Sequence, residues 1–137
     1  MLFTKETDYA IRFFRTLRDG EKYPVSKIAE RELIPQQFAY KILRKLSGAG
    51  LITVVRGARG GCVLNADLNK VSVMDLIEIV EPKDAFVPCM EEGYVCPYRE
   101  ENGGCRVHEN LGVLEDKLKN DLSKISINEL LGEENNG

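Results

Sequence analysis

The chain has 137 residues, of which 43% are apolar and 30% charged, and its formal net charge is −3. This composition predicts one soluble domain of ordinary size and excludes a membrane protein, because no apolar run approaches the roughly 18 residues of a spanning helix. Met1 leads directly into a charged amphipathic segment, so no signal peptide is expected. We therefore expect a cytoplasmic protein whose four cysteines are ligands or buried side chains, not disulfides.

The charge is divided unevenly along the chain. Residues 1–61 carry 12 Lys and Arg against 6 Asp and Glu, whereas residues 62–137 carry 7 against 16. The N-terminal half is therefore suited to a polyanion such as nucleic acid, which the C-terminal half would repel. A solvated basic surface would give the same balance, so charge alone does not decide the function.

The N-terminal half is predicted to contain three helices. The first runs from Thr4, as its N-cap, to Gly20, with apolar residues at helical spacing. The second begins near Ser26, and the third follows Pro35 and covers residues 36–47. Two short helices separated by a tight turn, in a basic region, indicate a helix-turn-helix.

The exposed side of the third helix carries polar residues that can read DNA. Gln and Arg can make paired hydrogen bonds to base edges in the major groove, and Lys neutralises phosphate. An ordinary hydrated helix face would look similar. The predicted DNA contacts on this helix are Gln36, Gln37, Tyr40, Lys41 and Arg44.

A β-hairpin is predicted directly after the third helix. Residues 51–55 and 62–64 are extended pieces, and the glycine-rich tip between them carries Arg56 and Arg59. Arginines on such a tip suit the narrow, electronegative minor groove. A helix-turn-helix followed by this hairpin is a winged helix, so residues 1–81 are predicted to form a DNA-binding domain. Cys62, on the hairpin, is interpreted as a small buried side chain.

A fourth helix is predicted over residues 72–81, with Ser72 as its N-cap and Pro82 directly after it. Residues 82–106 then form a segment rich in turn-favouring residues, which we call the cysteine loop. Thiolates with one nitrogen or carboxylate ligand suit an iron–sulfur cluster or zinc. Disulfides or a chance grouping are the alternatives. The candidate ligands in and just after this loop are Cys89, Cys96, Cys105 and His108.

The C-terminal part is predicted to form a dimerisation helix over residues 107–126. A narrow apolar stripe of almost five turns in a small protein is more typical of packing against a helix of a second subunit than of packing into the chain's own core. Ser126 and Glu129 predict a capping box for a short last helix, and the tail from residue 133 is expected to be disordered. The stripe consists of Val107, Leu111, Leu114, Leu118, Leu122 and Ile125.

These features together resemble the IscR/NsrR family of iron–sulfur transcription regulators, over about residues 1–131. The resemblance implies a mainly α-helical winged helix-turn-helix with a long dimerisation helix. It also implies a homodimer that binds palindromic promoter DNA, each subunit holding a 2Fe-2S or 4Fe-4S cluster near the dimer interface. A repressor, not an enzyme, is expected, with Fe–S supply, oxygen or nitric oxide as its signal. The likeness rests on Thr7-Asp8-Tyr9-Ala10, Arg56-Gly57, Gly60-Gly61, the three spaced cysteines and the leucine-striped helix.

The resemblance supplies two candidates for the fourth cluster ligand. In members similar to IscR it is a histidine three residues after the last cysteine, here His108. In members similar to NsrR it is an aspartate of the first helix, here Asp8, which reaches the partner's cluster. His108 is favoured, because imidazole is the better donor to iron and lies on the same face of a starting helix as Cys105. The family usually has an aromatic residue at the position of Cys62.

Two other classes of protein would use the same cysteines. A structural zinc site would give a winged-helix regulator without redox sensing. An iron–sulfur electron carrier would not need a basic helix face or an arginine-tipped hairpin. The sequence shows no Ser–His–Asp arrangement, phosphate loop or paired carboxylates that would indicate catalysis.

Overall fold

The computed structural model describes residues 3–81 and 86–133. The predicted fold class, mainly α-helical with a small β-hairpin, is confirmed. No helix in these two ranges is both long and apolar enough to cross a membrane. A short 3-10 turn, Pro88–Met90, lies inside the cysteine loop. The regular elements are α1 (Lys5–Leu17), α2 (Val25–Glu32), α3 (Gln36–Gly48), β1 (Ile52–Val55), β2 (Gly61–Leu64), α4 (Val73–Val80), α5 (Pro97–Asn102), α6 (Arg106–Ser123) and α7 (Ile127–Leu131).

The helix starts follow the predicted N-cap residues, whereas α1 ends at Leu17, before the predicted stop at Gly20, and α6 ends at Ser123, before the predicted residue 126. Thr4 is the N-cap of α1, and Ser72 and Asp75 form a reciprocal capping box at the start of α4. Ser126 accepts a hydrogen bond from the Glu129 N–H at 3.0 Å, which is one half of the capping box predicted for α7. The predicted helix end at Pro82 and most of the predicted disordered tail (134–137) lie outside the described residues.

One apolar core is shared by α1, α2, α3 and α4, and α7 completes it. Ile127 of α7 is fully buried in this core, although the chain has passed through the whole of α6 before reaching it. Its N–H donates to the Val71 carbonyl at 2.8 Å, and the Val73 N–H donates to the Ile125 carbonyl at 2.9 Å. The last helix therefore belongs to the winged-helix core, which the sequence pattern did not indicate.

The hairpin pairs β1 with β2 antiparallel, from Ile52 opposite Leu64 to Val55 opposite Gly61. A side chain at Gly61 would lie 2.7 Å from the Tyr23 carbonyl, so only glycine fits this close approach. Cys62 is fully buried, as interpreted from the sequence. Burial raises the pKa of its thiol to about 11.

Helix α5 was not predicted, because its surroundings are dominated by residues that favour turns. Pro97 at its first position has the backbone geometry that a helix start requires. Gly103, with φ of 70°, then ends it in the left-handed conformation. The cysteine loop is therefore partly helical, with Cys96 and Cys105 at the N-caps of α5 and α6.

Replacing Leu33 by glycine is expected to stabilise the fold by about 1 kcal/mol. Leu33 ends α2 in the left-handed conformation, with φ of 55°, and its side chain is 82% exposed. A non-glycine residue there costs roughly 1–2 kcal/mol, and glycine's extra freedom in the unfolded chain offsets part of that gain. Thermal unfolding should show a higher Tm for Leu33→Gly but not for Leu33→Ala, which keeps the Cβ. Equal Tm values for both variants would contradict this account.

Candidate DNA interface and cysteine loop

Helix α3 presents all five of its predicted DNA contacts on one exposed face. They repeat at helical spacing, while Ala39, Ile42, Leu43 and Leu46 turn inward to the core. This arrangement leaves a polar face that can enter a major groove without disturbing the core. The exposed residues are Gln36, Gln37, Tyr40, Lys41 and Arg44.

A groove of about 580 Å³ separates the end of α3 from the hairpin. Arg44 of α3 and Arg56 of the hairpin tip both line it, although they are 12 positions apart in sequence. Arg59 is exposed further along the tip. The fold thus places arginines from two elements beside one groove, so α3 and the hairpin present positive charge on the same side of the molecule.

One predicted DNA contact is ion-paired within the chain. Lys41 Nζ lies 2.6 Å from Glu6 Oε1, and Lys45 Nζ lies 2.8 Å from Glu6 Oε2. The hydrogen bonds from Lys41 and Lys45 hold the pKa of Glu6 below its ordinary value. The sequence did not reveal this pair, because Glu6 is on a different helix and 35 residues from Lys41.

Asp8, the alternative fourth ligand, forms a surface ion pair on α1. Its Oδ2 lies 2.9 Å from Arg12 Nη2, and both side chains are partly exposed. Arg15, one turn further along, binds both carboxylate oxygens of Glu32 at 2.7 and 3.0 Å. A role for Asp8 toward a partner subunit stays a prediction.

The cysteine loop brings Cys89 and His108 into direct contact. Cys89 Sγ lies 3.3 Å from His108 Nδ1, joining the 3-10 turn to the first turn of α6. Arg99 Nη1 of α5 lies 3.4 Å from Nδ1 and 3.2 Å from Nε2 of the same ring. Both Cys89 and His108 are half-buried. Two of the four candidate ligands therefore already meet.

The other two candidate ligands lie in neighbouring pockets. Cys96 lines a pocket of about 370 Å³ and Cys105 one of about 470 Å³, and both pockets share Gly103 and Gly104. The three loop cysteines are free and half-buried. Within residues 3–81 and 86–133, no three His, Cys, Asp or Glu side chains converge as a metal site.

The donor types nevertheless fit an iron–sulfur cluster or zinc. Three thiols and one imidazole are soft ligands that these groups prefer. Gly103, between the last two cysteines, has a left-handed conformation with φ of 70°, so the backbone bends between Cys96 and Cys105. The four side chains thus have the right ligand atoms and lie close together along the chain. Binding one cluster or metal ion would require Cys96 and Cys105 to move toward the Cys89–His108 pair.

Helix α6 has no buried residue within the single chain. It packs against α4, yet several residues of the predicted stripe stay exposed, among them Val107 at 66% and Leu114 at 45%. Glu115 of α6 accepts a hydrogen bond from the Phe86 N–H at 3.1 Å, which ties the cysteine loop to the middle of the helix. The apolar face of α6 is thus open along much of its length.

Comparison with known proteins identifies the family. The Rrf2 family, described as iron-dependent transcriptional regulators, has a model that matches residues 3–133. The chain belongs to the Rrf2 family. Rrf2 proteins are DNA-binding transcription regulators that function as dimers, and they are not enzymes. The predicted role as a DNA-binding transcription regulator is therefore confirmed.

Two solved structures and one curated relative illustrate the likeness. IscR of T. potens superposes with a TM-score of 0.71 at 19% identity, over 96% of this chain and 86% of that one. The oxidized form of Staphylococcus aureus CymR also gives 0.71 at 19% identity, over 98% and 99%. Protein aau3 of Rhizobium meliloti (strain 1021) is 34% identical over an alignment of 100 residues that covers 71% of this chain and 65% of that protein. The structural matches show that the winged-helix Rrf2 fold extends over nearly the whole chain.

Proposed function

We propose that this Rrf2 protein is a cytoplasmic, homodimeric repressor whose promoter binding is controlled by an iron–sulfur cluster. The ligands would be Cys89, Cys96, Cys105 and His108. The observation that carries the proposal is the 3.3 Å contact between Cys89 Sγ and His108 Nδ1, at the junction of the cysteine loop with α6. It supports His108 as the fourth ligand, because this imidazole already contacts one of the proposed thiol ligands, whereas Asp8 would have to reach the cluster of a partner subunit.

The DNA-binding side of the proposal rests on α3 and the hairpin. Gln37 and Arg44 would read base edges in the major groove, while Arg56 and Arg59 would enter the flanking minor groove. The shared groove lined by Arg44 and Arg56 supports simultaneous contact by both elements. In a two-fold symmetric dimer, the two copies of α3 would face half-sites separated by whole helical turns of a palindrome.

The exposed apolar face of α6 supports dimerisation through this helix. Leu114 and Leu118 are 45% and 37% exposed in the single chain, and they lie one turn apart. A second copy of α6 would bury them at roughly 25 cal/mol for each Å² of apolar surface removed from water. The proposed cluster would then lie near the dimer interface, because Cys105 and His108 belong to the start of the same helix.

The chain offers a contiguous route from the cysteine loop to the DNA-binding face. Cys105 caps α6, α6 packs against α4, and α4 packs against α3. When bound, the cluster would supply sensitivity to iron supply, oxygen or nitric oxide. Closing Cys96 and Cys105 onto Cys89 and His108 would reposition the start of α6, and α4 would carry that shift to α3. The presence or absence of the cluster would thereby change the fraction of dimers that can bind DNA.

The visible absorption spectrum of anaerobically purified protein tests the proposed cofactor. We expect a coloured protein with iron and acid-labile sulfide bound to each subunit, because thiolate-bound clusters absorb visible light and zinc sites do not. The same preparation should lose its colour when the cluster is removed by chelation under air. A colourless protein that contains zinc and no sulfide after cluster reconstitution would instead support the structural zinc site and contradict the proposal.

A further inference from the structure

Glu6 places a carboxylate between two lysines of the helix proposed to read DNA. The two lysines differ in how the protein holds them. Lys45 donates to Glu6 Oε2 at 2.8 Å and to the Val80 carbonyl at 2.7 Å, and its side chain is 29% exposed. Lys41 is 48% exposed, and among the described residues Glu6 is its one ion-pair partner. Lys45 is thus fixed inside the fold, whereas Lys41 is held by a single contact at the surface.

Lys41 lies on the face that would approach DNA. It follows Tyr40 directly and precedes Arg44 by one turn, and all three side chains are exposed. An ammonium group in this position would ordinarily donate to a phosphate oxygen. In the free protein the acceptor is instead a Glu6 oxygen at 2.6 Å. Because hydrogen bonds from Lys41 and Lys45 lower the pKa of Glu6, this carboxylate stays ionised at neutral pH.

We propose that Glu6 competes with DNA phosphate for Lys41 and thereby lowers the affinity of this regulator for DNA of any sequence. This inference rests on the proposed docking of α3 in the major groove. An exposed ion pair is weak, so a phosphate can replace Glu6 at Lys41. The carboxylate stays beside the phosphate after this exchange, because Lys45 still holds it, and the two anions repel each other. Phosphate contacts carry no base information, so the effect is independent of sequence.

Replacing Glu6 by glutamine tests the competition directly. Glu6→Gln keeps the shape and a hydrogen-bond acceptor but removes the charge, so Lys41 becomes free to neutralise a phosphate. Fluorescence anisotropy on one palindromic and one scrambled duplex, across a salt series, should show about 3- to 10-fold tighter binding to both. The slope of log affinity against log salt should steepen by roughly 0.9, the value for one additional neutralised phosphate.

A double-mutant cycle separates competition from positioning. In the wild type, Lys41→Met should weaken binding less than about threefold and change the salt slope by much less than 0.9, since Glu6 already neutralises Lys41. In the Glu6→Gln background the same substitution should cost the full phosphate contact. If Glu6 instead orients Lys41 toward DNA, Glu6→Gln weakens binding and the inference is overturned. The inference is also overturned if Lys41→Met in the wild-type background lowers the salt slope by the full 0.9. This outcome does not depend on whether Glu6→Gln folds well.

Glu129→Gln is the matched control, because Glu129 is an exposed carboxylate on α7, outside the proposed interface. It removes the same charge and should leave the DNA affinity and the salt slope unchanged. If both variants bind DNA equally more tightly, the Glu6→Gln effect is due to net charge alone and the inference is overturned. Thermal unfolding of each variant measures how much stability is lost when Lys45 no longer has a charged partner.

If Arg44→Ala and Arg56→Ala weaken DNA binding while Glu6→Gln does not strengthen it, only this inference is wrong. If the arginine variants have no effect either, the proposed DNA contact fails with it.

Discussion

Replacement of Cys89, Cys96 or Cys105 by alanine is expected to abolish or greatly weaken retention of the iron–sulfur cluster. Each substitution removes one thiolate from a set of four ligands, and the remaining loop residues offer no other cysteine to replace it. The measurement is the visible absorbance per subunit, together with iron and sulfide content, after identical anaerobic reconstitution. A loss of most of the absorbance in all three variants is the expected result.

Cys62→Ala is the matched control for these variants. Cys62 is fully buried in the winged-helix core and hydrogen-bonded through its backbone to Tyr23, so it should not act as a ligand. We expect this variant to keep most of its cluster and to lose roughly 1 kcal/mol of stability through the small cavity. A bleached Cys62→Ala protein beside a coloured Cys96→Ala protein would show that the ligand assignment is wrong.

The fourth ligand is decided by comparing His108→Ala with Asp8→Ala under the same conditions. His108 already contacts Cys89, whereas Asp8 is paired with Arg12 in the single chain. The His108 variant should therefore lose the larger share of its cluster. Equal retention in both variants would remove the reason to prefer His108.

Removal of Arg56 and Arg59 together is expected to lower the affinity for the palindromic site by about tenfold or more. These arginines supply the cationic side chains of the hairpin tip. A fully formed contact between an arginine and DNA contributes roughly 1–3 kcal/mol to the binding free energy. The loss should be greatest where the flanking minor groove is narrow and A·T-rich, because its negative potential attracts arginine most strongly there.

The control for the arginine variants is Lys70→Ala, an exposed cation that lies outside α3 and the hairpin. Anisotropy titrations on duplexes that differ only in the flanking sequence should show little change for Lys70→Ala. Gln37→Ala should instead relax the preference at particular base pairs, since it would remove a base contact and not a charge. Equal affinity of the double arginine variant for all flanking sequences, at the wild-type value, would contradict minor-groove insertion.

The winged helix could be predicted from the sequence because its signals are local. Thr4 and Ser72 mark helix starts, and the glycine-rich tip with Arg56 marks a hairpin, since capping and turn chemistry depend on neighbours a few residues away. The burial of Cys62 was predicted from its residue type, because a cysteine without a ligand or disulfide partner commonly behaves as a small buried apolar side chain.

The features that escaped prediction depend on contacts between distant residues. Ile127 belongs to the core because α7 returns to Val71 across the length of α6. The pairing of Glu6 with Lys41 needs α1 and α3 side by side. Sequence spacing placed the three loop cysteines in one candidate ligand set, which stays a prediction. Only the fold shows that Cys89 meets His108 while Cys96 and Cys105 line two neighbouring pockets.

The return of the chain to its core at α7 determines how the molecule would respond to a break in its backbone. Tyr94 and Val95 in the cysteine loop are 46% and 66% exposed, so a protease can reach them. A cut there would leave Ile127 buried and hydrogen-bonded to Val71, and the two fragments would stay together as a nicked winged helix. Loss of everything beyond residue 124 would instead remove part of the core itself. Helix α7 is thus part of the folded core, whereas none of residues 86–106, the described part of the cysteine loop, is buried.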